Sequence, residues 1–207
     1  MLARLGLTVV VLAALSHLAI ADEEGFTPLI KGDDIRSFQL VGIGPDTMKI
    51  QDGVIHITGK PNGYFATKER YKNYVIKFDW MYERPEELEP GAKFDGNSGL
   101  LVHIVEPHKV WPKSIEVQLA NSDAGNIFAI AGKFQGKKDP AAQKKAIKPV
   151  GEWNEEEVTC KDGSIVCKIN GVEVARGTGA QPDQGQIGWQ SEGRPIRFRN
   201  LRIKTLD

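Results

Sequence analysis

The sequence predicts an all-β fold, a β-sandwich or jelly roll. Apolar and polar residues alternate in many short pieces bounded by Gly, Asn, Asp and Pro. Asp-Gly and Asn-Gly pairs separate several of these pieces at hairpin spacing. Only Asp139–Lys148 has the composition of a helix, and it is short.

The elements follow in chain order. Met1–Ala21 carries one charge, Arg4, then an uncharged run, and ends in Ala19-Ile20-Ala21 before Asp22-Glu23-Glu24. That pattern is expected of a secretory signal peptide, and its uncharged stretch is short for a membrane span. Residues 22–207 are then expected to form one domain, soluble in the periplasm or outside the cell, with no membrane insertion after cleavage. Met48–Gln51 and Val54–Thr58 flank Asp52-Gly53 as a hairpin. Tyr74–Tyr82 is a long strand with Tyr74, Ile76, Phe78, Trp80 and Tyr82 on one side and Val75, Lys77, Asp79 and Met81 on the other. Ser98–Val105 and Ser114–Leu119 come next. Lys133–Lys148 holds six Lys without a clear apolar face and reads mainly as a solvated loop. Val158–Cys160 and Ile165–Ile169 flank a second Asp-Gly turn, and Asn170-Gly171 leads into Val172–Ala175. Gly185–Gln190 and Ile196–Lys204 complete the set.

Composition narrows the function. The 207 residues balance 27 Lys+Arg against 27 Asp+Glu. Phosphate binding wants a basic surplus, so nucleic acid is not the expected partner. A hydrophobic content of 41% suits a globular chain. A chain of this size buries about 70% of its unfolded surface, enough to fold without metals or disulfides. Its two cysteines, Cys160 and Cys167, admit two registers. A loop at Gly163-Ser164 sets them opposite each other, in position to bridge in an oxidising compartment. A loop at Asp162-Gly163 pairs Cys160 with Ile165 instead. Asp33-Asp34 and Asp95-Gly96-Asn97 offer oxygen atoms, but turn formation explains them better, and no metal site or cofactor is expected.

Glu116 and Gln118 share one face of their strand, about 6.5–7 Å apart, while Ile115, Val117 and Leu119 take the core face. His103 has the strand parity of Gly99 and Leu101, so a neighbouring strand would turn it toward this pair. Alone, each residue reads as a solvated strand position. Trp80, Tyr82, Trp111, Trp153 and Trp189 add flat rings of the kind that stack on sugars, although some of them suit a core equally well.

Asn97-Ser98-Gly99-Leu100-Leu101, Glu116-Val117-Gln118, Gly151-Glu152-Trp153-Asn154, Ile169-Asn170-Gly171, Gly185-Gln186-Ile187-Gly188-Trp189-Gln190 and Phe198–Lys204 follow one another in an order that resembles the 3-keto-disaccharide hydrolase domain family, long known as a domain of unknown function. Gly25–Ile30 resembles its opening. Two positions depart from the family's usual pattern: His103 stands where Arg is common, and Ser191-Glu192-Gly193 follows Gln190 where His-Gly is common. The resemblance implies a jelly roll of the concanavalin-like lectin and glucanase type. It also implies an exported enzyme that cleaves 3-keto-glycosides. The ketone at C3 acidifies the proton on C2, whose removal lets the group on C1 leave, and water completes a net hydrolysis. Such chemistry needs a base, an acid and donors for the enolate oxygen. Glu116 is the candidate base and His103 the candidate acid, with Gln118, Asn97, Ser98, Trp80 and Gln190 as candidate substrate-binding residues. Double displacement needs two carboxylates about 5–5.5 Å apart, and the strand partner of Glu116 is an amide. The alternative is a non-catalytic lectin-like module that binds carbohydrate.

Overall fold

The computed structural model describes residues 23–207 except Pro90; the expected signal peptide, Met1–Ala21, lies outside the described residues. Two antiparallel sheets face each other. The larger runs in the order β10 (Lys133–Lys138), β13 (Val172–Gln181), β12 (Ser164–Ile169), β11 (Asn154–Lys161), β6 (Tyr74–Tyr82), β15 (Ile196–Thr205), β4 (Val54–Ile57) and β3 (Met48–Gln51), with β1 (Thr27–Pro28) also paired to β15. The smaller runs β2 (Gln39–Val41), β5 (Gly63–Ala66), β14 (Gln186–Ser191), β7 (Gly99–Val105), β8 (Lys113–Gln118) and β9 (Ile127–Ile130). Among the described residues no helix is long and apolar enough to cross a membrane.

The hairpin turns form as their sequences dictate. Asp52-Gly53, Asp162-Gly163 and Asn170-Gly171 all hold positive φ at both positions, near 50° and then 74–79°. This left-handed pair matches the twist of the flanking strands, and Asp, Asn and Gly enter it most easily. The turn at Asp162-Gly163 decides the cysteine register. Cys160 stands opposite Ile165 and Cys167 opposite Val158. Both thiols are free and buried, and burial pushes the Cys160 thiol up to about 12.

The core lies between the sheets. Tyr74, Ile76, Phe78, Trp80 and Tyr82 all point into it, as their alternation predicts. From the small sheet come Phe65, Leu100, Val102, Ile115, Val117, Ile187 and Trp189. The Trp189 ring stacks on Phe65 at 5.2 Å and meets Phe78 edge-on at 5.9 Å. Aromatic pairs of this kind add about 0.5–1.5 kcal/mol each beyond the area they bury. The first part of Lys133–Lys148 departs from the loop expected there, while the helix composition of Asp139–Lys148 is realised. Lys133–Lys138 is an edge strand whose Phe134 packs on the core, and α1 (Pro140–Ala146) follows, capped by Asp139. Lysines suit an edge because they discourage pairing with other chains.

One irregularity governs the site. The pairing of β7 slips against β8 between Val102 and Val105, and against β14 between Leu101 and Ile104. His103 sits in this bulge with φ of 59°, a region that His enters more readily than most side chains. The extra residue resets the alternation. Leu101 and Ile104 therefore share the outer face of the small sheet, and His103 turns inward. Its ring meets the core ring of Tyr74 edge-on at 5.7 Å. The parity that sets His103 beside Glu116 fails at the bulge.

Candidate active site

The outer face of the small sheet collects the polar side chains. Glu116 on β8 stands opposite Leu101 on β7 and Phe128 on β9. Gln118 stands opposite Gly99, and Gln190 on β14 stands opposite Tyr64 on β5. Trp189 pairs with Leu100, and one residue further the same register lays Gln190 beside Gly99. It continues to the bridge between Asn97 and Glu192. Strand alternation keeps Asn97, Gly99, Gln190 and Glu192 on one face.

Gly99 makes the centre of this face. A Cβ there would strike Gln190 Oε1 and lie 2.6 Å from Glu116 Oε1. Glu116 and Gln190 thus fold over the same glycine from neighbouring strands, and Gln190 Nε2 donates to Glu116 Oε2 at 3.4 Å. Both residues are buried. The Glu116 carboxyl is raised to about 7, mainly by burial and then by the nearby charge of Glu192, while the Gln190 amide opposes the shift. Gln190 Oε1 has no donor among the described residues, and a protonated Glu116 beside it offers one. Glu192 is half-buried, and burial raises its carboxyl against the opposing effect of Asn97. Asn97 Oδ1 is likewise buried without a donor.

The remaining expected site residues lie elsewhere or do other work. Trp80 belongs to the core face of the large sheet, where its Nε1 donates to the buried Glu156 carboxyl at 2.9 Å. Ser98 points into the protein, and its hydroxyl donates to the Gln190 carbonyl at 2.8 Å, which ties β7 to β14. Gln118 stays on the site face, with its Oε1 accepting from the Ala120 N–H at 2.8 Å. Burial lowers the His103 pKa. Among the rings, Tyr82 and Trp189 are core, and Trp153 lies under the Arg199 guanidinium at 4.1 Å.

Three further side chains join the face: Phe128 and His108, to which sequence reasoning assigns no role there, and Glu192, noted above only as a departure from the family's pattern. Phe128 is 37% exposed directly beside Glu116, a platform of the right kind in the right place. His108 stands over the face with its Nδ1 3.4 Å from the Tyr64 hydroxyl. Glu192 follows the last strand pair and carries no periodic signal of its own. The departure from the family's pattern at Ser191-Glu192-Gly193 and the spacing of Glu192 from Gln190 were the available clues. Among the described residues, no group of three or more His, Cys, Asp or Glu is placed to hold a metal ion. The cavities beside β1, about 320 and 510 Å³, hold none of the residues of this face.

A family model described as the 3-keto-alpha-glucoside-1,2-lyase-like domain matches residues 25–204. The chain belongs to this family. The 3-keto-alpha-glucoside-1,2-lyase-like domain thus spans nearly all the described residues, both sheets included. A protein of Bacteroides thetaiotaomicron named 3-keto-disaccharide hydrolase is 23% identical over 244 residues, covering 90% of this chain and 80% of its own. A crystal structure from Parabacteroides distasonis, described as a glycosyl hydrolase, is 27% identical with a TM-score of 0.65, covering 89% of this chain and 95% of that one. Peanut lectin, at 10% identity, covers 88% of this chain and 97% of its own with a TM-score of 0.53. The lectin-type jelly roll is therefore the fold of this chain.

Proposed function

We propose that the chain is an exported carbohydrate-active enzyme that cleaves 3-keto-glycosides, such as oxidised disaccharides, by elimination across C1 and C2 followed by addition of water. The observation that carries this reading is Glu116, a buried carboxyl near neutrality on the outer face of the small sheet. A proton carrier works best when its pKa lies near the working pH. The Glu116 carboxylate takes the proton from C2, which the C3 ketone has acidified. Asn97, Gln118 and Gln190 border it with amides suited to sugar hydroxyls and to the enolate oxygen. Phe128 offers a ring face to the sugar. The family and the named relative support the substrate class, and the leader-like Met1–Ala21 supports export.

The deciding experiment compares wild type and Glu116→Gln on a 3-keto-disaccharide and its unoxidised parent. Cleavage of the oxidised sugar alone, lost in the variant with sugar binding retained, is expected. Glycan binding without release of reducing sugar by the wild type would instead make the chain a lectin-like module.

The glycine at the centre provides a separate check. Gly99→Ala places a methyl against the movable ends of Glu116 and Gln190, so the fold should survive while their geometry does not. A displacement of about 1 Å at a reacting group can cost about 10²-fold. We expect a fall in kcat/KM of that order with an unchanged far-ultraviolet dichroism spectrum.

A further inference from the structure

We infer that Glu192 is the second catalytic carboxyl of this site, delivering a proton to the departing glycosidic oxygen while Glu116 takes one from C2. This role rests on the elimination proposed above, and it fills the place that His103 vacates by turning into the core.

The placement comes from register. Glu192 lies two residues beyond Gln190 and bridges Asn97, which lies two residues before Gly99. The Glu116 side chain leaves the row of Leu101 and leans over Gly99, which brings it one row closer to Glu192. Gln190 stands between them, almost fully buried, with its Oε1 lacking a donor. Glu192 is the more open of the two carboxyls, as a group that must reach a leaving sugar should be. Among the described residues no cation forms an ion pair with it. The nearby Asp95 and Arg194 pair with each other at 2.8 Å. The titratable groups that sense Glu192 are Glu116 and the Tyr82 hydroxyl, which donates to the Leu119 carbonyl.

The charge of Glu192 acts on the Glu116 carboxyl, so the two titrations are linked. In the middle of the titration the pair holds one proton, and that form contains both a base and an acid. The Glu116 carboxylate removes the C2 proton, and the C–H electron pair forms the enolate with C3. The enolate collapses to a C1–C2 double bond, the C1–O bond breaks, and the departing oxygen takes the Glu192 proton. Water then adds to C1 and gives its proton to the Glu192 carboxylate, while Glu116 returns its proton to C2. Every atom balances, and both carboxyls end as they began.

The test uses two substrates of the full-length protein, a 3-keto-disaccharide and a nitrophenyl 3-keto-glucoside. Nitrophenolate leaves without a proton. Glu192→Gln is expected to lower kcat/KM on the disaccharide by about 10²-fold or more but by only a few-fold on the nitrophenyl substrate. Glu192→Asp, which keeps a carboxyl, should recover part of the loss. The pH profile adds an independent sign. Wild-type kcat/KM on the disaccharide should pass through a maximum and fall on its alkaline side as the last proton of the two carboxyls is lost, whereas in Glu192→Gln, with Glu116 alone, it should rise with pH to a plateau. Equal losses on both substrates, no loss on the disaccharide, or a wild-type profile without an alkaline fall would overturn the role of Glu192 and leave the elimination standing. A wild type inactive on both substrates would overturn the elimination itself, and this role with it.

Discussion

Glu116→Gln is expected to be inactive and yet more stable than the wild type in alkaline solution. General acid–base catalysis supplies about 10²–10⁴-fold, so kcat/KM on a 3-keto-disaccharide should fall by that much. The amide keeps the shape of the side chain and its place over Gly99. The stability change follows from the titration. The Glu116 carboxyl stands at about 7 in the folded chain against 4.5 when unfolded. Between those values the folded state binds more protons than the unfolded one, so its stability falls as pH rises. Each unit is worth about 1.4 kcal/mol, which makes the loss about 3 kcal/mol by pH 8. Glu116→Gln escapes it. Chemical denaturation of both proteins at pH 5 and pH 8 measures the difference. A gap that fails to widen toward pH 8 would contradict the burial of a titrating carboxyl here.

The second large effect lies in the core and leaves the site alone. Glu156 is fully buried, accepts from Trp80 Nε1 and lies 3.6 Å from the Cys167 thiol. Burial raises its carboxyl to about 8, although both donors pull it down. The sign is the same as for Glu116. Stability is fully present below about 4.5 and is lost as pH rises through 8, to a total of about 5 kcal/mol. Glu156→Gln can still accept from the indole and does not ionise. Its denaturation midpoint should therefore decline much less between pH 5 and pH 9 than that of the wild type. Activity at neutral pH should change little, because Glu156 faces the inter-sheet core and Glu116 the outer face. A Glu156→Gln protein that loses stability in parallel with the wild type across this range would refute the prediction.

Legibility in the sequence followed the regularity of the backbone. Tyr74–Tyr82 alternates over nine residues, and its inward face was readable from that alone. Glu116 and Gln118 were readable for the same reason, since Ile115 and Val117 fix which side is core. Trp80 obeyed its parity too, but parity does not say whether a ring faces a core or a ligand. His103 failed because a bulge is invisible in the pattern of apolar residues. The short strands escaped differently. Gly63–Ala66 is buried on both faces and shows no alternation, although it carries Tyr64 to the site and Phe65 to the core. Glu192 sits past a strand end, where the sequence marks a departure from the family's pattern without giving the residue a role. Its partner Asn97 is far away in sequence, and only the pairing of β7 with β14 brings them together.

The bulge at His103 also makes chain length a local variable. Elsewhere in β7 the loss of one residue would exchange inner and outer faces along the strand. At the bulge the surplus residue has no cross-strand partner. A deletion there would straighten the strand and leave Asn97, Gly99 and Leu101 in register with Glu192, Gln190 and Glu116. The half of the strand that carries the site is thus insulated from insertions and deletions in the half that packs against Tyr74.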